Sequence, residues 1–71
     1  MSEQQFLMIM NEYVDGDIQQ IPHDEPLHYV GMDSMRMMMA VEAFRAQGSN
    51  VTFMELVQKP TLAEWLACVV K

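Results

Sequence analysis

Ser34 follows Gly31-Met32-Asp33 and precedes a run of apolar residues at helical spacing, so its hydroxyl falls where a loop meets a helix. A serine working as its own nucleophile needs a base beside it. Here there is no Gly-x-Ser-x-Gly elbow, no strand to hold one and no paired base in the sequence around it. A serine modified by another enzyme needs less: exposure, a recognisable surface and room for a charged group. A helix N-terminus favours an attached phosphate through its free amides and the positive end of its dipole. Taken alone, the tetrapeptide reads as an ordinary N-cap, because Asp or Ser before an apolar helix commonly serves that purpose.

Other residues with reactive or ligating side chains form weaker patterns. His23-Asp24-Glu25 and His28 are donors a metal would accept, but they lie in a loop interrupted by Pro26 at a spacing that closes no site. Asp15-Gly16-Asp17 lacks the remaining ligands of a calcium loop. Cys68, the single cysteine, forms no intrachain disulfide and sits in a helical stretch without a base to lower its pKa, as a structural thiol would. No metal site and no catalytic residue are expected. Arg36 has two readings, a solvated side chain or a cation that approaches a phosphate on Ser34 or an acid on a partner.

Four helices are needed to position these residues. Ser2-Glu3-Gln4-Gln5 fits a Ser-x-x-Gln capping box, and Phe6, Met10, Tyr13 and Val14 then recur at helical spacing. Asp15-Gly16-Asp17 ends this helix, with Gly16 as its left-handed cap. Residues 15–33 show no periodicity and contain Pro22 and Pro26, so they form a long loop pinned to the core by Ile18, Ile21, Leu27 and Val30. A second helix begins at Asp33-Ser34 and stops at Gly48. The third is short, opened by the box Thr52-Phe53-Met54-Glu55 and closed by Pro60. The fourth opens with Thr61-Leu62-Ala63-Glu64 and carries Leu62, Trp65, Leu66 and Val69 on one face. The expected fold is all-α, a small four-helix bundle with a long first loop and a short third helix.

Helix geometry divides the methionines of the second helix. At about 100° per residue, Met37, Ala40, Val41 and Phe44 share a sector that faces the core. Met35, Met38 and Met39 are surplus to that stripe and gather on the flank that carries Ser34. Exposed methionine is soft and adaptable, which suits a surface that meets several partners.

Composition narrows the function classes. The chain has 71 residues, too few for a barrel or a doubly wound sheet, and 51% of them are apolar, too many for a disordered chain. Acids outnumber bases 10 to 4, giving a net charge of −6, which argues against nucleic acid and anionic membranes. Seven of the acids and none of the bases lie in residues 1–33. That half would favour a partner with a basic surface, although on charge alone simple solubility is the better reading. The start Met-Ser-Glu-Gln-Gln lacks the basic region of a signal peptide, and the apolar run Phe6–Met10 is too short to span a bilayer. The expectation is a cytoplasmic monomer, with residues 1–71 forming a single free-standing domain.

The stretch Gly31-Met32-Asp33-Ser34-Met35-Arg36-Met37-Met38 resembles the 4′-phosphopantetheine attachment site of acyl carrier proteins. It is most similar to the aryl and peptidyl carrier domains of siderophore-type nonribosomal peptide synthesis. The likeness continues through Val41-Glu42-Ala43-Phe44-Arg45, Val51-Thr52-Phe53-Met54-Glu55-Leu56 and Lys59-Pro60-Thr61-Leu62-Ala63-Glu64-Trp65, with Asp24-Glu25-Pro26-Leu27 upstream. The resemblance implies an acyl carrier protein-type bundle. It also implies that a phosphopantetheinyl transferase, with its own magnesium and base, moves the arm from coenzyme A to the Ser34 hydroxyl, with Gly31, Asp33 and Arg36 around it. The arm's thiol would hold an aryl, aminoacyl or fatty acyl group as a thioester. An adenylating enzyme would load that group and a condensation or transfer enzyme would remove it, docking on Met35, Met38, Phe53 and Val57. Such a protein is no enzyme itself. The competing reading is a helical adaptor that binds a partner through its Met-rich surface and carries no prosthetic group.

Overall fold

Each helix begins where a side chain can satisfy the amides that a first turn leaves open. The computed structural model describes residues 1–70. It contains α1 (Glu3–Tyr13), α2 (Ser34–Ala46), α3 (Phe53–Val57) and α4 (Leu62–Val69), with no named strand among the described residues. This is the expected all-α bundle with a long first loop and a short third helix. At α1 the capping box closes both ways: the Gln5 amide donates to Ser2 Oγ at 3.1 Å, and the Ser2 amide donates to Gln5 Oε1 at 3.0 Å. At α2, α3 and α4 the caps are Asp33, Thr52 and Thr61, each accepting from the amide three residues on.

The helix ends differ from one another. Gly48, at φ +95°, closes α2 as a left-handed residue: its N–H donates to the Arg45 carbonyl, and the Ser49 N–H donates to the Phe44 carbonyl. The expectation that Gly16 caps α1 is corrected. The cap is Val14, in extended conformation, with its N–H on the Met10 carbonyl; Gly16, at φ +82°, lies two residues further on. The Asp15 N–H bonds to the Val30 carbonyl of the loop instead of continuing the helix, so the chain leaves α1 before the glycine is reached.

The long loop is more ordered than its lack of periodicity suggested. It holds two 3₁₀ turns, Ile18–Gln20 and Leu27–Val30. Ile18, Ile21 and Leu27 are buried, and Val30 is half-buried against the core. Backbone bonds fasten it at both ends: the Asp15 N–H donates to the Val30 carbonyl at 2.7 Å, which draws the loop closed. The Leu27 N–H reaches the Pro60 carbonyl at 2.7 Å, and the Ala63 N–H reaches the His23 carbonyl at 2.8 Å, so the loop lies against the start of α4.

One aromatic series ties three helices together. Phe6 of α1 stacks on Phe44 of α2 at 5.4 Å between centroids, and Trp65 of α4 meets Phe44 edge-on at 6.4 Å. Along α2, Ala40, Val41 and Phe44 are buried and Met37 is half-buried, as the helical stripe requires. Trp65 has a second role. Its indole N–H donates to the Leu56 carbonyl at 3.0 Å and the Lys59 carbonyl at 2.8 Å. The Leu56 carbonyl also accepts the Lys59 N–H at 3.0 Å, so the indole adds a second donor there and ties the turn that follows α3 to α4. Among the described residues no helix is long and apolar enough to cross a membrane. Trp65→Phe keeps an aromatic ring but removes the indole N–H, leaving the Lys59 carbonyl without that donor, and urea unfolding should show a loss of about 1–3 kcal/mol. An unchanged unfolding midpoint would show that the indole N–H does not hold α3.

Candidate functional site

The junction before α2 is shaped by Gly31. It ends the second 3₁₀ turn at φ +90°, with its N–H on the Leu27 carbonyl. A side chain there would be strained by the backbone, and it would also overlap the Asp15 carboxylate and the Arg36 guanidinium. Met32 follows and is buried, which anchors the chain immediately before the cap. Asp33, in extended conformation, folds its carboxylate back onto the Arg36 amide at 2.8 Å, and its carbonyl accepts from the Met37 amide at 2.9 Å.

Ser34 is therefore the first residue of α2, and it is exposed. Its side chain enters none of the side-chain hydrogen bonds among the described residues. The helix geometry leaves the Ser34 and Met35 amides without an intrahelical acceptor. A free hydroxyl thus stands beside open amide donors at the positive end of a 13-residue helix. That combination fits a phosphodiester: the hydroxyl is free to be esterified, and the donors face the charge so created.

Arg36 points away from the hydroxyl towards the end of α1. Its Nη1 donates to Asp15 Oδ1 at 2.9 Å and to the Tyr13 carbonyl at 3.2 Å. Tyr13 is the last residue of α1, so the cation also sits at the negative end of that helix. Of the four residues that the sequence placed around a cofactor, Gly31, Asp33, Ser34 and Arg36 all meet at this junction. The Asp33 and Arg36 side chains are engaged within the protein, and the Ser34 hydroxyl is open.

The flank beyond the serine is apolar. Met35, Met38 and Met39 are exposed along α2. Phe53 is half-buried against the core, yet it lines an open groove between α2 and α3 with Met38, Val41, Glu42, Arg45 and Thr52. Val57 is exposed on α3. A second shallow groove, between α1 and α2, is lined by Tyr13, Met38, Met39, Glu42 and Ala43. Sequence reasoning missed Tyr29, which is exposed in the turn before Gly31 with its ring edge-on to His28 at 4.3 Å. An aromatic residue outside any helical stripe was the available signal. It also missed Asp15 as the partner of Arg36.

The remaining candidate groups are dispersed. Asp17 caps the first 3₁₀ turn through the Gln19 amide, while His23, Asp24 and His28 are exposed on the loop. Among the described residues no three His, Cys, Asp or Glu side chains are grouped to hold a metal ion. Cys68 is a free, half-buried thiol packed against the core.

A family model described as a phosphopantetheine attachment site matches residues 4–69. Isochorismatase of Bacillus subtilis (strain 168) is 44% identical over 52 residues, covering 68% of this chain and 17% of its own length. Pyochelin synthetase PchE of Pseudomonas aeruginosa is 40% identical over 51 residues, covering 72% of this chain and 4% of its own. Pseudomonine synthase PmsE of Pseudomonas entomophila is 38% identical over 53 residues, covering 75% of this chain and 9% of its own. The chain thus spans a small part of each of these relatives. No solved structure gives a significant match.

Gly31→Ala should cost about 1–3 kcal/mol in urea unfolding, part from the positive φ and part from overlap with Asp15 and Arg36. In an Asp15→Ala background the overlap is partly relieved, so the cost should fall. Strictly additive losses would show that Gly31 and Asp15 do not interact.

Proposed function

Because this chain belongs to the phosphopantetheine-attachment family of carrier domains, we propose that Ser34 is the hydroxyl that carries the arm. The observation that carries this reading is the exposed, unengaged Ser34 hydroxyl on the first residue of α2, within the matched residues 4–69. A phosphopantetheinyl transferase would deliver the group from coenzyme A, supplying the magnesium and base that the serine lacks. When bound, the arm's terminal thiol holds an acyl group as a thioester.

The chain's own residues prepare the attachment point. Gly31 turns the loop so that Asp33 reaches its capping position, and Asp33 occupies the Arg36 amide. The Ser34 and Met35 amides stay open towards the phosphate, and Arg36 fixes the loop to the end of α1. The protein then acts as substrate and carrier, and the bond chemistry belongs to its partners. Tethering raises the local concentration of the acyl group at each partner's active site.

Carrier domains of nonribosomal synthetases work with synthetase enzymes. For this chain the partners would be an adenylating enzyme and a condensation or transfer enzyme, docking on Met35, Met38, Phe53 and Val57 in the cytoplasm. The names of the relatives, a pyochelin synthetase and a pseudomonine synthase among them, support a nonribosomal peptide-type pathway of the siderophore kind. Residues 1–71 act as one carrier unit. The adaptor reading has no feature that the carrier reading leaves unexplained, since the same Met-rich flank serves docking in both.

Incubation with coenzyme A, magnesium and a broad-specificity transferase should add one phosphopantetheine to the intact mass, and Ser34→Ala should abolish the gain. A gain that survives the substitution, or no gain at all, would overturn the assignment. Met38→Asp should slow loading by the cognate adenylating enzyme about tenfold while leaving the helical spectrum intact, as expected for loss of an apolar contact at an interface. Unchanged loading would remove Met38 from the docking surface.

A further inference from the structure

The nine methionines fall into distinct environments. Met10 and Met32 are sealed at 0% and 2% exposure. Met8, Met35, Met38, Met39 and Met54 stand open at 66, 68, 50, 50 and 64%. Of the five open ones, Met8 borders a hollow on α1 with Leu7, Asn11 and Ile18, and Met54 lies by Lys59 and Cys68 on the other side of α3 from the groove. The other three lie together on α2, starting next to Ser34. Leucine would give the same apolar surface without a reactive atom. Methionine puts three thioethers there instead, while Met10 and Met32 in the core are shielded from solvent and Met1 and Met37 are half-buried against it.

We propose that Met35, Met38 and Met39 form a peroxide-sensitive modification site that turns docking at Ser34 down and up again. The proposal rests on the reading that partner enzymes dock on this flank, and it extends that docking to the transferase that modifies Ser34. The oxidant is a hydroperoxide, hydrogen peroxide in the simplest case. A sulfur lone pair attacks one peroxide oxygen, forming the S–O bond as the O–O bond breaks. The proton on the transferred oxygen passes to the departing hydroxide, which leaves as water. Sulfur is oxidised by two electrons and the peroxide is reduced by two. The product, methionine sulfoxide, is polar where the thioether was apolar, so a partner must desolvate three sulfoxide oxygens to seat on the same flank. Because Met10 and Met32 are sealed, the fold survives the change. Methionine sulfoxide reductases reverse it.

The test uses the full chain. It is treated with hydrogen peroxide, then with dithiothreitol to return Cys68 to the thiol, and mapped by peptide mass. Met8, Met35, Met38, Met39 and Met54 should each gain one oxygen before Met10 and Met32 do, with the helical spectrum preserved. Transfer of phosphopantetheine from coenzyme A by a broad-specificity transferase should then be slower than for untreated protein by about fivefold or more. Methionine sulfoxide reductase should restore the rate. A Met35→Leu, Met38→Leu, Met39→Leu variant, compared with its own untreated rate, should be insensitive to peroxide, whereas Met8→Leu with Met54→Leu should stay sensitive. Equal rates before and after oxidation, or a loss that persists in the triple variant, would overturn the proposal. Untreated protein that never accepts the arm would instead overturn the Ser34 assignment, and this proposal with it.

Discussion

The structure around the serine depends on the absence of a side chain at Gly31. That absence lets the Asp15 carboxylate and the Arg36 guanidinium pass across the end of the loop and meet at 2.9 Å. As an ion pair on a largely exposed surface it contributes only about 0–1 kcal/mol. Its importance is geometric. Arg36 also holds the Tyr13 carbonyl, and its own amide is held by Asp33, so one residue joins the end of α1 to the start of α2. The Asp15 amide on the Val30 carbonyl closes the same ring of contacts from the backbone side. With those groups engaged among themselves, the exposed Ser34 hydroxyl is left without a side-chain hydrogen bond at the junction.

The packing beneath this junction is economical. Phe6, Phe44 and Trp65 connect three helices through one aromatic series, and the loop adds Ile18, Ile21 and Leu27 to the same core. A domain of this size buries little surface, so each large side chain carries a substantial share of stability. Loop residues serve as core here, which explains how a stretch without periodicity stays in place. The α2 flank is thereby released from core duty, and its methionines are free to face solvent.

What could be read from the sequence follows from the range of the interactions. Ser2, Asp33, Thr52 and Thr61 act on amides three residues away, so the helix starts were legible. The α2 stripe was legible because helical periodicity is a local property. Gly16 misled because local reasoning could not see the Val30 carbonyl, which takes the Asp15 N–H and ends α1 earlier. Asp15 and Arg36 are 21 residues apart, and nothing in the spacing of seven acids singles out one of them as the partner. The burial of Met32 beside half-buried Val30 follows from the positive φ at Gly31, which redirects the chain in a way no period encodes. The place of Ser34 at the exposed start of α2 was legible, because its cap acts three residues away. The engagement of its neighbours within the protein was not.

The shortness of α3 has a mechanical consequence. Five residues do not sustain a helix in water, so α3 depends on Leu56 in the core and on the indole of Trp65. The Thr52 cap and the packing of Phe53 against the core are its other holds. Local opening of such a helix takes less free energy than unfolding the domain. The groove between α2 and α3 thus has one wall on a 13-residue helix and the other on a helix of five residues held largely by its neighbours.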